Sequence, residues 1–398
     1  MSGDGSRDIV LVLTFCTGLV REIRPWLVSA FAFPVAVFST GRRSTNPSVP
    51  CCQSRDTATM RPCSPQALTS GRGESPCRRP MLLTIVIPAY RSPTLDRVLA
   101  SLEGLDAEIV VVDSSPGGPP EVGPTARAIW LSEKTPPGVA RNVGARDTHG
   151  EFILFLDSDV QLNAEGRAFV HAQIDCPEHD VVCGVYRFDP LSNGPIEAIQ
   201  NAIIRYRLLR KPPGNRQLGS TSHMLVRRST FDRVGGFDPE LITYEDYEFT
   251  ARCFRNDVWV TVDPAFEAIH LKQYTMLSLV TDYLQKVHAS VLARRRHAPT
   301  FKGFDMNLGW PIGLSWIASF LLPFGLVMAL SGPGGGVVAW GTVLVLAAAP
   351  IPLWRSVLAQ TPIMAKLVSL VLWPPIAWSV ALATGAATIT STFRKLRP

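Results

Sequence analysis

A mainly parallel α/β domain followed by an all-α membrane region is the fold class this sequence predicts, and three observations predict it. From Leu82 onward, short continuous apolar runs alternate with segments of helical period, the texture of buried strands crossed over by helices. Long uncharged stretches crowd the residues after 307. The composition, 46% hydrophobic with only 18% charged residues, is lean in charge for a soluble domain standing alone.

Residues 1–80 precede that texture and differ from it. They are rich in Arg, Pro, Ser and Cys, with two apolar runs at Ile9–Val20 and Trp26–Phe38 that are each too short to span a bilayer. The first run lacks the basic n-region of a signal peptide. The expectation is a disordered segment or a mis-called upstream extension, with Met81 as the start of the folded chain.

Next come Leu83–Pro88 and Glu108–Val112 as strands, with a helical pattern over Leu95–Leu102 between them, which makes a βαβ unit. A second helix is expected from Pro137-Gly138 toward Thr148, and then the strand Phe152–Leu156. Ligands of such sheets bind at the carboxyl ends of strands, where Asp113 and Asp157-Ser158-Asp159 stand. Two aspartates flanking one residue of an extended chain project the same way, and a hard divalent cation wants such oxygens.

Beyond the head, Met276–Leu292 places Leu277, Val280, Leu284, Val287 and Val291 at helical spacing and leads into Arg294-Arg295-Arg296. Residues 273–307 are therefore expected to be an amphipathic, basic segment, lying in the membrane interface or packed as an ordinary amphipathic helix on the domain. Residues 308–390 are expected to hold two or three transmembrane helices. Leu308–Leu330 and Leu367–Ile389 are the strong candidates, and Val337–Leu353 is interrupted by Pro350 and Pro352. Basic residues before the first run and at Arg355 and Lys366 place those flanks, and the catalytic head, in the cytoplasm under a plasma or inner membrane. The basic tail at 391–398 conflicts with three full crossings, so either the middle or last segment is re-entrant or the positive-inside rule bends here.

The net charge of +6 does not point to nucleic acid: ten Arg against five acids in residues 1–80 supply most of the excess, and no basic stripe interleaves with aromatics. Five of the eight cysteines lie in the same leader, and no CxxC pair with a nearby histidine exists for structural zinc.

Five motifs in order carry a resemblance: Thr84-Ile85-Val86-Ile87-Pro88-Ala89-Tyr90, Val110-Val111-Val112-Asp113-Ser114-Ser115, Ala140-Arg141-Asn142-Val143-Gly144, Phe155-Leu156-Asp157-Ser158-Asp159, and Val234-Gly235-Gly236-Phe237-Asp238 followed by Tyr244-Glu245-Asp246. Over residues 82–272 the chain resembles the family 2 glycosyltransferases of GT-A fold, the Rossmann-like nucleotide-diphospho-sugar transferases. The resemblance implies a GT-A domain at 81–272, a nucleotide-diphospho-sugar donor and inversion at the anomeric carbon. It implies that Pro88, Ala89 and Tyr90 line the base pocket, that Asp113 bonds the base, and that Arg141 lies near the diphosphate. Asp157 would touch ribose or metal and Asp159 would bind the metal, manganese or magnesium, with His270 as a further ligand. Asp246 would take the proton of the acceptor hydroxyl, its proton affinity raised by neighbouring Glu245.

The chain departs from processive synthases of that family, which carry Gln-x-x-Arg-Trp past the base, since Gln285-Lys286-Val287-His288 stands nearest here. The expected activity is transfer of a sugar to a lipid or lipid-linked acceptor of the cell envelope. Alternatives are a processive polysaccharide synthase and a catalytically silent membrane scaffold. Nucleotidyl transfer lacks its glycine-rich triphosphate loop.

Overall fold

The computed structural model of the chain describes residues 82–189, 194–209 and 219–301, with isolated positions between 318 and 355. Within them lies an eight-stranded sheet in the order β3-β2-β1-β4-β7-β6-β8-β5. The strands are β1 (Leu83–Ala89), β2 (Ala107–Asp113), β3 (Ala126–Trp130), β4 (Phe152–Leu156), β5 (Val160–Leu162), β6 (Val181–Arg187), β7 (His223–Arg227) and β8 (Val260–His270). The helices are α1 (Leu95–Ala100), α2 (Pro137–Arg146), α3 (Ala164–Asp175), α4 (Pro195–Leu209), α5 (Arg228–Val234), α6 (Glu245–Arg255), α7 (Met276–Arg296) and the single turn α8 (Ala298–Phe301).

The expected mainly parallel sheet is in fact mixed, parallel through its first half and again where β6 pairs with β8. β3, β2, β1 and β4 run parallel, but β7 pairs antiparallel with both β4 and β6, and β5 pairs antiparallel with β8. The sheet is mixed because β7, which follows α4 in the chain, runs antiparallel to both of its neighbours. Strand periodicity divides the core between two faces. Val86, Val110, Val112, Ile153 and Phe155 pack on one side with Phe231, Phe237 and Phe249 of the α5–α6 region. Ile85, Ile87, Val111, Leu154 and Leu156 pack on the other with Leu95 and Val98 of α1 and Val170 of α3.

Burial on both faces is why β1 and β4 read as unbroken apolar runs and why they sit in the sheet's interior. Helix α2 comes so close to β1 that a Cβ on Gly144 would lie 2.4 Å from Val86 Cγ1. That approach fixes where the helix delivers its polar side chains.

Helix α7 opens with a capping box between Thr275 and Ser278. Its packing residue is Leu279, fully buried beside Tyr274, whereas Leu277 is 77% exposed. The apolar stripe expected through Leu277 and Leu284 therefore faces away from the domain at those two positions. The leader falls outside the described residues, as do the three expected spans apart from isolated helical positions. Among the described residues no helix is long and apolar enough to cross a membrane.

Candidate active site

The carboxyl end of β4 is the centre of the site. The chain leaves the strand at Asp157, turns, and re-enters the sheet at β5. The turn is closed by Val160 N donating to Asp157 O at 3.0 Å, and Asp157 N donates to Ser222 O at 2.9 Å. Ser92 and Thr94, just before α1, both donate their hydroxyls to Ser158 O. Asp157 and Asp159, expected to project alike, take different partners. An extended chain would have aimed their carboxylates the same way, but the chain turns at Ser158.

Asp157 meets Arg141. This arginine is 3% exposed on α2, its Nη2 donating to Asp157 Oδ1 at 2.5 Å and its Nη1 to Glu245 Oε1 at 2.7 Å. Burial works against the guanidinium's charge, but the two carboxylates more than offset it and raise its pKa. The three elements meet closely, since a Cβ on Gly138 would lie 3.1 Å from Glu245 Cγ. Two residues missed in the sequence reading lock the arrangement. Asn142 donates Nδ2 to Phe237 O at 2.7 Å and accepts from Phe237 N at 2.9 Å, which ties α2 to the Gly235-Gly236-Phe237 loop. Arg252 holds the same loop by donating to Val234 O and Gly236 O while paired with Glu248.

Asp159 meets His270 at the end of β8, with His270 Nε2 3.7 Å from Asp159 Oδ2. The other ring nitrogen, Nδ1, lies 3.1 Å from Asn201 Oδ1 on α4, and Tyr186 stacks on the ring at 4.5 Å between centroids. Because an amide oxygen only accepts, Nδ1 is the donor, and the Nε2 side faces Asp159. Burial opposes ionisation of Asp159, but the hydrogen bond and charge of His270, then Lys272 and Lys286, bring its pKa below the ordinary value. Asp157 bonds Arg141 through Oδ1 and lies within electrostatic reach of Asp159. Among the described residues no group of three His, Cys, Asp or Glu is gathered for a metal ion.

Asp246 is the second residue of α6, after Glu245. The helix follows Tyr244, which adopts a left-handed backbone at φ 73°, strained for a bulky residue. Asp246 is half-buried, and its Oδ1 accepts from Tyr247 N at 2.8 Å. Burial first, then the charge of Glu245, lift its pKa to about 7, against the pull of the Tyr247 amide and Arg141. Glu245, expected to share in catalysis, has its carboxylate occupied by Arg141 and is buried. Its contact is with the arginine, and its effect on Asp246 is through charge.

Asp113 ends β2 with both carboxylate oxygens taken, Oδ1 by Ser115 N at 2.6 Å and Oδ2 by Ser115 Oγ at 3.0 Å. It lines a cavity of about 340 Å³ with Arg91, Ser92, Pro93, Leu95, Ser115, Gly118 and Pro120. Pro88 and Ala89 form the end of β1, and Tyr90 projects beyond it, 38% exposed, with Lys134 Nζ 5.0 Å from its ring centroid. The structure thus gathers Arg141, Asp157 and Glu245 in one cluster and Asp159 and His270 in another, with Asp113 and Tyr90 beside the cavity.

Known proteins resemble this chain in sequence and in structure. Residues 84–235 match the family model described as Glycosyl transferase family 2. An uncharacterized glycosyltransferase of Haemophilus influenzae is 22% identical over 275 residues, covering 63% of this chain and 86% of that protein. Among solved structures, a mannosyltransferase from Pyrobaculum calidifontis in complex with GDP-Man and Mn2+ aligns at a TM-score of 0.46. It is 15% identical and covers 80% of this chain and 89% of that one. S. aureus TarS 1–349 in complex with UDP-GlcNAc aligns at 0.39 with 19% identity, covering 79% of this chain and 92% of that one. The matched segment runs from β1 through α5 to the Gly235 turn and includes Asp113, Arg141, Asp157 and Asp159; with a glycosyltransferase also among its relatives, the chain is a glycosyltransferase.

Proposed function

We propose that this enzyme is membrane-anchored and metal-dependent, and that it moves a sugar with inversion from a nucleotide-diphospho-sugar to a lipid or lipid-linked acceptor. One observation carries the donor half. A buried Arg141, held charged between Asp157 and Glu245, stands beside an Asp159–His270 pair at the carboxyl end of β4. The base and ribose of a nucleotide suit the cavity that Asp113 lines. GDP-Man and UDP-GlcNAc, bound in two solved enzymes similar to this chain, belong to that donor class.

The residues fit a divalent cation, manganese or magnesium. Asp159 offers a hard oxygen, and His270 offers a nitrogen whose ring is fixed by Asn201, the outer-shell arrangement that metal-binding histidines favour. Two protein ligands suffice where a diphosphate completes the shell. Such a cation would offset the charge that develops on the leaving diphosphate.

Arg141 places a fixed positive charge where the diphosphate departs, and Glu245 holds the guanidinium in position. Asp246 accepts the proton of the acceptor hydroxyl as that oxygen bonds to the anomeric carbon and the bond to the diphosphate breaks. The strained Tyr244 sets the start of α6 and hence the carboxylate's place. The uncharged runs after residue 307 and the exposed Leu277 and Leu284 of α7 support a membrane location, with the head on the cytoplasmic side.

Calorimetric titration of nucleotide-sugars with and without Mn2+ tests the donor site. Asp159→Ala is expected to abolish the metal-dependent part of the affinity. Donor affinity in that variant equal to the parent's, with metal present, would overturn the assignment.

A further inference from the structure

Strand β8 changes faces partway along, and His270 owes its place to that change. Beside β6 it begins with Val260 opposite Val181 and Val262 opposite Cys183, then shifts, so that Val185 meets Glu267 and Tyr186 meets Ala268. From Cys183 to Val185 β6 advances two residues while β8 advances five, and the odd difference turns β8 over. Val260 and Val262 accordingly pack in the core on the α5–α6 side, whereas Phe266 and Ala268 pack on the α1–α3 side. His270, two residues beyond Ala268, therefore comes to the face that carries Tyr186. Gly184 sits at the shift, where a Cβ would lie 2.2 Å from His223 Cδ2 and 2.3 Å from Phe266 O.

Tyr186 is buried, and its ring lies parallel to the His270 imidazole, with 6° between planes and 4.5 Å between centroids. It also stacks on His223, at 5.6 Å and 29°. His223 is itself held at both nitrogens, Nε2 lying 3.3 Å from Phe266 O and Nδ1 3.1 Å from Ser222 Oγ. A carbonyl only accepts, so Nε2 carries the proton and Nδ1 takes the hydrogen bond of the Ser222 hydroxyl. Arg205, paired with Glu267, donates to Tyr186 O at 3.3 Å and ties down the strand that bears the ring.

The hydrogen bond to Asn201 fixes one edge of the His270 imidazole but leaves the ring free to pivot about that contact. Tyr274 also lies near, but at 6.2 Å and tilted by 59° it sets no plane. A parallel ring in contact does, because any pivot opens a gap or a clash in a closely packed interior. With the pivot removed, Nε2 stays aimed at Asp159 Oδ2, 3.7 Å away. We infer that Tyr186 is a positioning residue for the metal site, its ring fixing the plane in which His270 presents Nε2 beside Asp159. This rests on the metal-dependent transferase reading above and names what orients one of the ligands.

The test uses the full-length chain and its Tyr186→Phe, Tyr186→Leu and Tyr186→Met variants, each made alone and with His270→Ala. Mn2+ affinity is measured by electron paramagnetic resonance of the free ion in the presence of UDP and, separately, GDP. Nucleotide affinity without metal is measured on the same preparations. Tyr186→Leu is expected to weaken Mn2+ about tenfold or more, the usual loss when a ligand's outer partner is removed, with metal-free nucleotide affinity unchanged. Tyr186→Phe keeps the ring and is expected to stay within about twofold of the parent. With His270→Ala already present, Tyr186→Leu is expected to cost nothing further, because the histidine that the ring aims is gone. Should Tyr186→Leu not fold, Tyr186→Met decides, since it fills the space without presenting a plane. Mn2+ bound by Tyr186→Leu as by the parent, or weakened equally with and without His270, would overturn the positioning role. So would Tyr186→Phe losing as much as Tyr186→Leu. Each of those results leaves the metal site standing where His270→Ala alone weakens Mn2+. A parent that binds no Mn2+ with either nucleotide would overturn the metal reading and this inference with it.

Discussion

Asp246 is where burial and charge act most directly on chemistry. Its pKa of about 7 lies well above the ordinary 3.8, so the carboxylate is a stronger base than a solvated one and is half-ionised at neutral pH. As the proposed base it must be deprotonated, so kcat/KM is expected to rise as pH increases through about 7. The stability effect has the opposite sign. The folded state binds this proton more tightly than the unfolded state, so stability falls as pH rises from about 4 to about 7. Asp246→Asn is expected to lower turnover by roughly 10² to 10⁴ while leaving donor affinity intact and flattening that pH dependence of melting. The amide oxygen can still accept from Tyr247 N. A variant that melts early yet turns over at the parental rate would show the aspartate to be a helix-end structural acid.

At the scale of elements, the site depends on α2 and α6 meeting through a loop that neither owns. Asn142 supplies two hydrogen bonds to Phe237, next to Gly236 at φ 68° and Gly235 at φ 93°. Both glycines occupy a left-handed region that other residues rarely adopt, and Gly235 ends α5 in that conformation. Asn142→Ala leaves a buried N–H and C=O without partners, at about 1 to 3 kcal/mol for each group that water cannot reach. The expected result is a lower melting temperature with weaker donor binding, because Arg141 precedes Asn142 on the same helix. A melting temperature equal to the parent's would refute the clamp. In the sequence Asn142 read as part of a motif, but its role was not legible, since Phe237 is 95 residues away along the chain.

At the scale of the whole molecule, the proposed membrane anchor sets the expectation. Ending the chain at Asn307 removes all three uncharged runs while keeping every strand of the sheet. That fragment is expected to bind nucleotide-sugar like the full chain and to lose most of its co-sedimentation with anionic lipid vesicles. Equal sedimentation of the two would sink the anchoring role of the residues after 307.

What the sequence determined by itself was local. Continuous apolar runs marked β1, β2 and β4 because these strands are buried on both faces, and the aspartates at their ends followed from the place where such sheets bind ligands. The tertiary structure decided direction and partnership. Spacing along the chain put Asp157 and Asp159 side by side, but the turn at Ser158 parted them toward Arg141 and His270. Glu245 and Asp246 read as two neighbouring acids until α2 delivered a buried arginine to one and left the other half-buried, with a raised pKa. The antiparallel return of β7, the clamp of Asn142 on Phe237 and the stacking of Tyr186 on His270 join segments tens of residues apart. A linear pattern records which residues prefer burial; which buried charge meets which is set only when the sheet brings distant segments together in a low dielectric, where each charge must find its partner.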